Sequence, residues 1–207
     1  MKIRTLFIFS LLLIIVACKK EPVTILTTPS ASERLMFGAE HLKKNLTELK
    51  YNVVVKEVEP EDFSRDNERI IWIVEKGDPL VPEVVDGLGL SLPGEIKGEG
   101  YYIATTRNHT LVYGEDPSGA LYGSYALADL FKEEQPLPAE LVDAPEMVLR
   151  GACVGLQKPY YLPGRTVYEY PYTPETFPWF CDKELWIDYL DMLVGNRMNS
   201  LYLWNGH

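Results

Sequence analysis

The chain has 207 residues, enough for one full domain and part of a second, with 46% hydrophobic and 24% charged residues as in ordinary globular proteins. Its net charge of −10 offers no basic stripe, which excludes the electrostatic footprint of a nucleic-acid partner. An acidic balance by itself narrows soluble functions no further.

Lys2 and Arg4 precede an apolar run from Leu6 to Ala17, too short to span a bilayer comfortably. A charged start, a short apolar core and a small residue form a signal-peptide pattern, placed here over residues 1–17. Ile15-Val16-Ala17-Cys18 resembles a bacterial lipobox. That resemblance implies cleavage before Cys18 and acyl chains on its new N-terminus, which hold a protein at a membrane without a spanning helix. Lys19 and Lys20, with no Asp after the cysteine, imply by the same resemblance an exported lipoprotein of the outer membrane. The other reading is an ordinary secretory signal with a chance cysteine. Processing leaves Cys153 and Cys181, which export permits to pair but which are expected here as two unpaired, buried thiols. Neither has a His nearby in a nucleophile or zinc pattern, and no residue cluster calls for a metal or cofactor.

Val23 to Thr27 predicts a β-branched strand. Ser30-Ala31-Ser32-Glu33 fits a capping box, and Leu35, Ala39, Leu42, Leu46 and Leu49 follow as one apolar stripe of a helix. Tyr51 to Val58 and Ile70 to Val74 read as two more strands; the second is apolar throughout, which predicts a central strand covered on both faces. Pro79 to Gly98 is rich in Pro and Gly and reads as a loop. Gly100 to Thr106 and Thr110 to Gly114 predict a hairpin turning at Arg107-Asn108-His109. Asp116-Pro117 starts a helix with Asp at the cap and Pro at its first position. That helix runs to about Glu134, with two early glycines placed for close packing. The order β-α-β-β-β-β-α predicts a small mixed α/β sheet with both helices on one face. His41 and His109 read as solvated or cap-satisfied histidines.

The stretch Gly98 to Phe131, "GEGYYIATTRNHTLVYGEDPSGALYGSYALADLF", resembles the end of an accessory domain that precedes the catalytic barrel in several exo-acting glycoside hydrolases. The matching positions are Tyr102, Ile103, Val112, Gly114, Gly119, Tyr122, Gly123, Leu127 and Leu130. The best-known carriers are the family 20 β-N-acetylhexosaminidases; α-glucuronidases and α-N-acetylglucosaminidases carry similar domains. The resemblance implies a hexosaminidase domain-2-like unit over residues 18–145, needing no cofactor.

Gln135-Pro136-Leu137-Pro138 and Ala144-Pro145 bracket a linker. Met147 to Leu156 reads as a strand, and Gln157 to Asp182 is a long segment rich in Tyr and Pro. Lys183 to Asn196 predicts a helix capped by Asp182, with Trp186, Tyr189, Leu190 and Leu193 as its apolar stripe. Met198 to Trp204 predicts a second strand, so residues 146–207 describe one βαβ unit with parallel strands. After the accessory domain, the resemblance makes this unit the start of an incomplete (β/α)8 barrel. Barrel sites sit at the C-terminal ends of strands, where Trp204, Asn205 and His207 fall. Those three residues and Arg150 are the candidate carbohydrate contacts. Arg150-Gly151 matches the family 20 first-strand Arg-Gly, whose Arg binds sugar hydroxyls, although the Asp-x-x-Arg expected next is here Cys153-Val154-Gly155-Leu156-Gln157. The residues alone leave a structural ion pair equally open for Arg150.

Glycoside hydrolysis needs two positioned carboxyl groups, or one with a substrate acetamide, and these resemble groups on later barrel strands. Glu169 and Glu175 in the Tyr/Pro segment read as surface carboxylates. The expectation is the N-terminal fragment of a lipid-anchored glycoside hydrolase, itself without catalytic residues. Two alternatives stand beside it: a non-enzymatic glycan-binding surface lipoprotein, and a purely structural accessory domain with a disordered tail.

Overall fold

In the computed structural model, residues 20–63, 68–156, 174 and 177–205 are described. They form a six-stranded mixed sheet and a separate two-stranded parallel sheet. The first sheet contains β1 (Pro22–Thr27), β2 (Asn52–Glu57), β3 (Arg69–Glu75), β4 (Tyr101–Thr106), β5 (His109–Gly114) and β6 (Glu140–Asp143). Its strand order is β2-β1-β3-β5-β4-β6. The first four strands in that order run parallel, whereas β4 is antiparallel to both β5 and β6.

The two expected helices, α1 (Glu33–Glu48) and α3 (Pro117–Lys132), do lie together on one face. There they bury Leu35, Ala39, Leu42 and Leu46 of α1 against Val23, Ile25, Ile71, Ile73, Ile103 and Val112 of the sheet. The opposite face is covered too, by α2 (Leu80–Leu88), inside the segment expected to be loop. Leu80 and Val84 of α2 pack on Ile70, Trp72, Val74 and Leu111. β3 is thus central and sandwiched, because consecutive side chains of Ile70 to Val74 alternate between two apolar layers.

Local chemistry explains the other differences. The cap of α1 is Ser32, not Ser30: its Oγ accepts from Leu35 N at 3.2 Å and donates to Glu75 Oε2 at 2.8 Å. The expected linker holds β6, a short edge strand on β4. Asp116 does cap α3, accepting from Gly119 N at 2.8 Å with Pro117 beside it.

Both histidines depart from the solvated or capped reading. His109 is buried at the start of β5, where its Nδ1 accepts from the Trp72 indole N–H at 3.2 Å. His41 lies flat on the Tyr125 ring, with centroids 3.5 Å apart. Burial lowers the His41 pKa from 6.5, the Lys132 charge lowers it further, and Asp129 and Asp191 partly oppose both. Well above pH 6.5 the group is neutral in folded and unfolded chains alike and adds no pH dependence. As pH falls below 6.5 the unfolded chain binds the proton first, so stability declines until pH passes the lower folded value. His41→Gln is therefore expected to shrink the drop in melting temperature between pH 7 and pH 5. Equal drops in the two proteins would show that His41 is not the source.

Candidate functional site

The second sheet is β7 (Gly151–Leu156) paired in parallel with β8 (Ser200–Asn205), joined across α4 (Lys183–Gly195). Asp182 caps α4, its Oδ1 accepting from Glu184 N at 3.0 Å and Leu185 N at 3.2 Å. β7 begins later than its apolar sequence predicts, since Val148 is 90% exposed and Met147 and Leu149 are exposed as well. The helix stripe also divides: Leu193 is buried and Trp186 stacks among Trp179, Phe180 and Tyr189, while Leu190 is 46% exposed.

Trp204 lies opposite Gly155 and Asn205 opposite Leu156, so the backbone carries both to the C-terminal edge of the pair. That is the edge where barrel enzymes place their sites. His207, Cys18, Glu169, Glu175 and most of the Tyr/Pro segment lie outside the described residues. Cys153 and Cys181 are unpaired as expected, but exposed rather than buried.

Arg150 is at the other edge. It directly precedes β7, and six residues of strand at about 3.3 Å each set it roughly 20 Å from the C-terminal edge. Its guanidinium is held by protein acceptors. Nη2 donates to Glu99 Oε2 at 2.6 Å, Nε to Arg197 O at 2.7 Å and Nη1 to Met147 O at 2.7 Å. The group also sits over the Tyr122 ring, 5.8 Å from its centroid. The ion pair left open in the sequence is therefore present, and Arg150 is not brought together with Trp204 and Asn205.

Arg150 belongs to a polar joint between the two sheets. Asn199 Nδ2 donates to both oxygens of Glu99 at 3.1 and 3.2 Å, and its Oδ1 accepts from Arg150 N at 3.0 Å. Arg197 pairs with Asp143 at 3.4 Å, and the Tyr101 hydroxyl donates to the same carboxylate oxygen at 3.0 Å. Burial drives the Tyr101 phenol well above its ordinary pKa of 10, against the opposing pull of Arg197. Burial likewise raises Tyr122, with Glu99 adding to the effect and Arg150 opposing it. These groups line an open cleft of about 160 Å³, formed by Glu99, Tyr101, Tyr122, Asp143, Arg150 and Arg197 among others. Its two cations and two carboxylates already pair with each other, which leaves no net charge to recruit an ion. Glu99 and Asn199 carried no sequence signal, because each owes its role to a partner about 50 residues or more away.

No family model and no curated protein matches the chain. Solved structures do. A GH138 enzyme targeting pectin rhamnogalacturonan II is similar with a TM-score of 0.70 and 44% identity, over 90% of this chain and 24% of that one. A GH115 4-O-methyl-α-glucuronidase with specificity for decorated arabinogalactans matches 90% of this chain and 25% of its own, at a TM-score of 0.62 and 15% identity. CpGH84B matches 88% of this chain and 26% of its own, at a TM-score of 0.50 and 20% identity. The latter two share the fold alone. The chain spans about a quarter of the length of these solved structures, and its structural neighbours are glycoside hydrolases.

Proposed function

We propose that the chain is the N-terminal part of an exported, lipid-anchored glycoside hydrolase that degrades glycans. Residues 18–145 form its accessory domain and residues 146–207 begin its (β/α)8 catalytic barrel. The observation that carries the reading is the 44% identity, across 90% of the chain, to a much longer glycoside hydrolase of which the match covers 24%. The exposed apolar groups of α4 and β8, among them Ile187, Leu190, Met192 and Tyr202, support further barrel elements packing on the pair. Trp204, Asn205 and His207 are the sugar contacts in this reading, and the catalytic carboxylates belong to later strands. The lipobox-like Ile15 to Cys18 supports anchoring through Cys18 in the outer membrane.

The substrate is a pectic glycan of the rhamnogalacturonan II type. The identity to the GH138 enzyme favours this over the exo-acting, hexosaminidase-like activity implied by the resemblance of Gly98 to Phe131 and by Arg150-Gly151. The test is expression of the complete gene product, incubated separately with rhamnogalacturonan II oligosaccharides and chito-oligosaccharides. Sugar release from the pectic substrate alone is expected, with none from the 207-residue chain. Release from chito-oligosaccharides alone would return the assignment to family 20. Binding without hydrolysis by the complete product would make it a glycan-binding lipoprotein. Radiolabelled palmitate should enter the wild type and not Cys18→Ala; equal labelling would remove the anchor.

A further inference from the structure

One side chain reaches the starts of both β7 and β8. Glu99 stands just before β4 with φ at +60°, a left-handed conformation uncommon for a residue with a side chain. Its backbone N–H donates to Asp116 Oδ2 at 2.7 Å, so the carboxylate that caps α3 also holds Glu99 in place. Strained backbone of this kind persists where its surroundings over-determine it. The Glu99 carboxylate in turn accepts from Arg150, the residue before β7, and from Asn199, the residue before β8. The same two residues are tied to each other, since Asn199 N and Ser200 N donate to Arg150 O at 2.8 and 3.0 Å.

We propose that Glu99 is a positioning residue for the site at the far edge of β7 and β8. It fixes the height and tilt of the strand pair on the six-stranded body, and so the level at which Trp204 and Asn205 leave β8. A paired strand has little slack along its length, so movement at its start is carried to its end. The proposal rests on the glycosidase reading of the same chain. It adds that the accessory unit contributes to turnover without touching substrate, because a misplacement of about 1 Å at a reacting centre can lower a rate by about 100-fold.

The experiment uses the complete gene product with Glu99→Ala, Glu99→Asn and Glu99→Gln. Asn tolerates the left-handed backbone but is too short to reach Arg150, so it separates side-chain reach from backbone strain. In Ala and Asn variants kcat should fall about tenfold or more, with KM within about twofold. Amide exchange should accelerate in β7 and β8 and stay unchanged in β3 and β5. Gln keeps an acceptor at the right distance and should recover most of the loss. An unchanged kcat in Glu99→Ala overturns the proposal and leaves the glycosidase reading intact. A wild type that hydrolyses nothing overturns that reading; exchange then decides about the clamp, uniform exchange rejecting it and acceleration confined to β7 and β8 supporting it.

Discussion

Gly119→Ala should lower the melting temperature by about 4–8 °C, although alanine is the better helix former. Gly119 lies in the first turn of α3, where the helix meets β4 and β5. A methyl group there would strike the carbonyl of Gly100 and come within 3.2 Å of Gly114 Cα. Those contacts are backbone, so no rotamer change can relieve them, and the helix must lift from the sheet. Helix propensity favours alanine by about 1 kcal/mol. Overpacking into backbone opposes it by about 3 kcal/mol or more, so the clash outweighs the propensity gain. Gly123→Ala is the internal comparison. Its methyl would meet Val112 Cγ1 at 2.7 Å and Tyr101 Cβ at 3.1 Å, and the first of these is a side-chain tip able to shift. A smaller loss is expected there. Thermal unfolding followed by circular dichroism measures both; a Gly119→Ala protein as stable as wild type would show that α3 can move off the sheet at little cost.

The features legible in the sequence are those set by neighbours along the chain. Asp116-Pro117 announced α3 because both capping groups act within one turn. Ile70 to Val74 announced a doubly covered strand because burial on two faces removes polar residues from the run. The helix α2 was obscured by the residues that bound it. Pro82 sits in its first turn, where no intrahelical N–H is lost, and Gly89 ends it in the left-handed conformation at φ +65°. Read one at a time, they look like breakers of any element; in place, they are the two ends of one. β6 escaped for another reason, since four residues between prolines become a strand only when β4 offers an edge. The joint between the sheets was the least legible part. Arg150 was visible as a buried arginine, but the choice between sugar and ion pair depends on Glu99, whose position follows from Asp116 and the start of α3. At the other edge the sequence placed Trp204 and Asn205 correctly at a strand end, because strand polarity in a βαβ unit follows from connection alone.

Arg150→Ala should destabilise the protein by about 3 kcal/mol and, in the glycoside hydrolase proposed above, leave KM within about twofold. The side chain is 13% exposed and its Glu99 partner 23%, so the pair is mostly withdrawn from water. Removing the arginine of such a pair leaves the Glu99 carboxylate partly buried, a loss of about 3–5 kcal/mol for full burial. The lower end applies here because Asn199 still donates to Glu99 and some of that side chain reaches solvent. Arg150→Lys should retain less than half of the stabilisation. An ammonium keeps the charge, yet it cannot donate at once to Glu99, Arg197 O and Met147 O, which the planar guanidinium does through three nitrogens. A sugar ligand would give the reverse pattern, with stability nearly unchanged and KM raised many-fold in both variants. Chemical denaturation of the variants beside their steady-state kinetics distinguishes the two. Stable variants with a raised KM would return Arg150 to the sugar site, and would require β7 to carry that arginine to the opposite edge of the sheet from the one it occupies here.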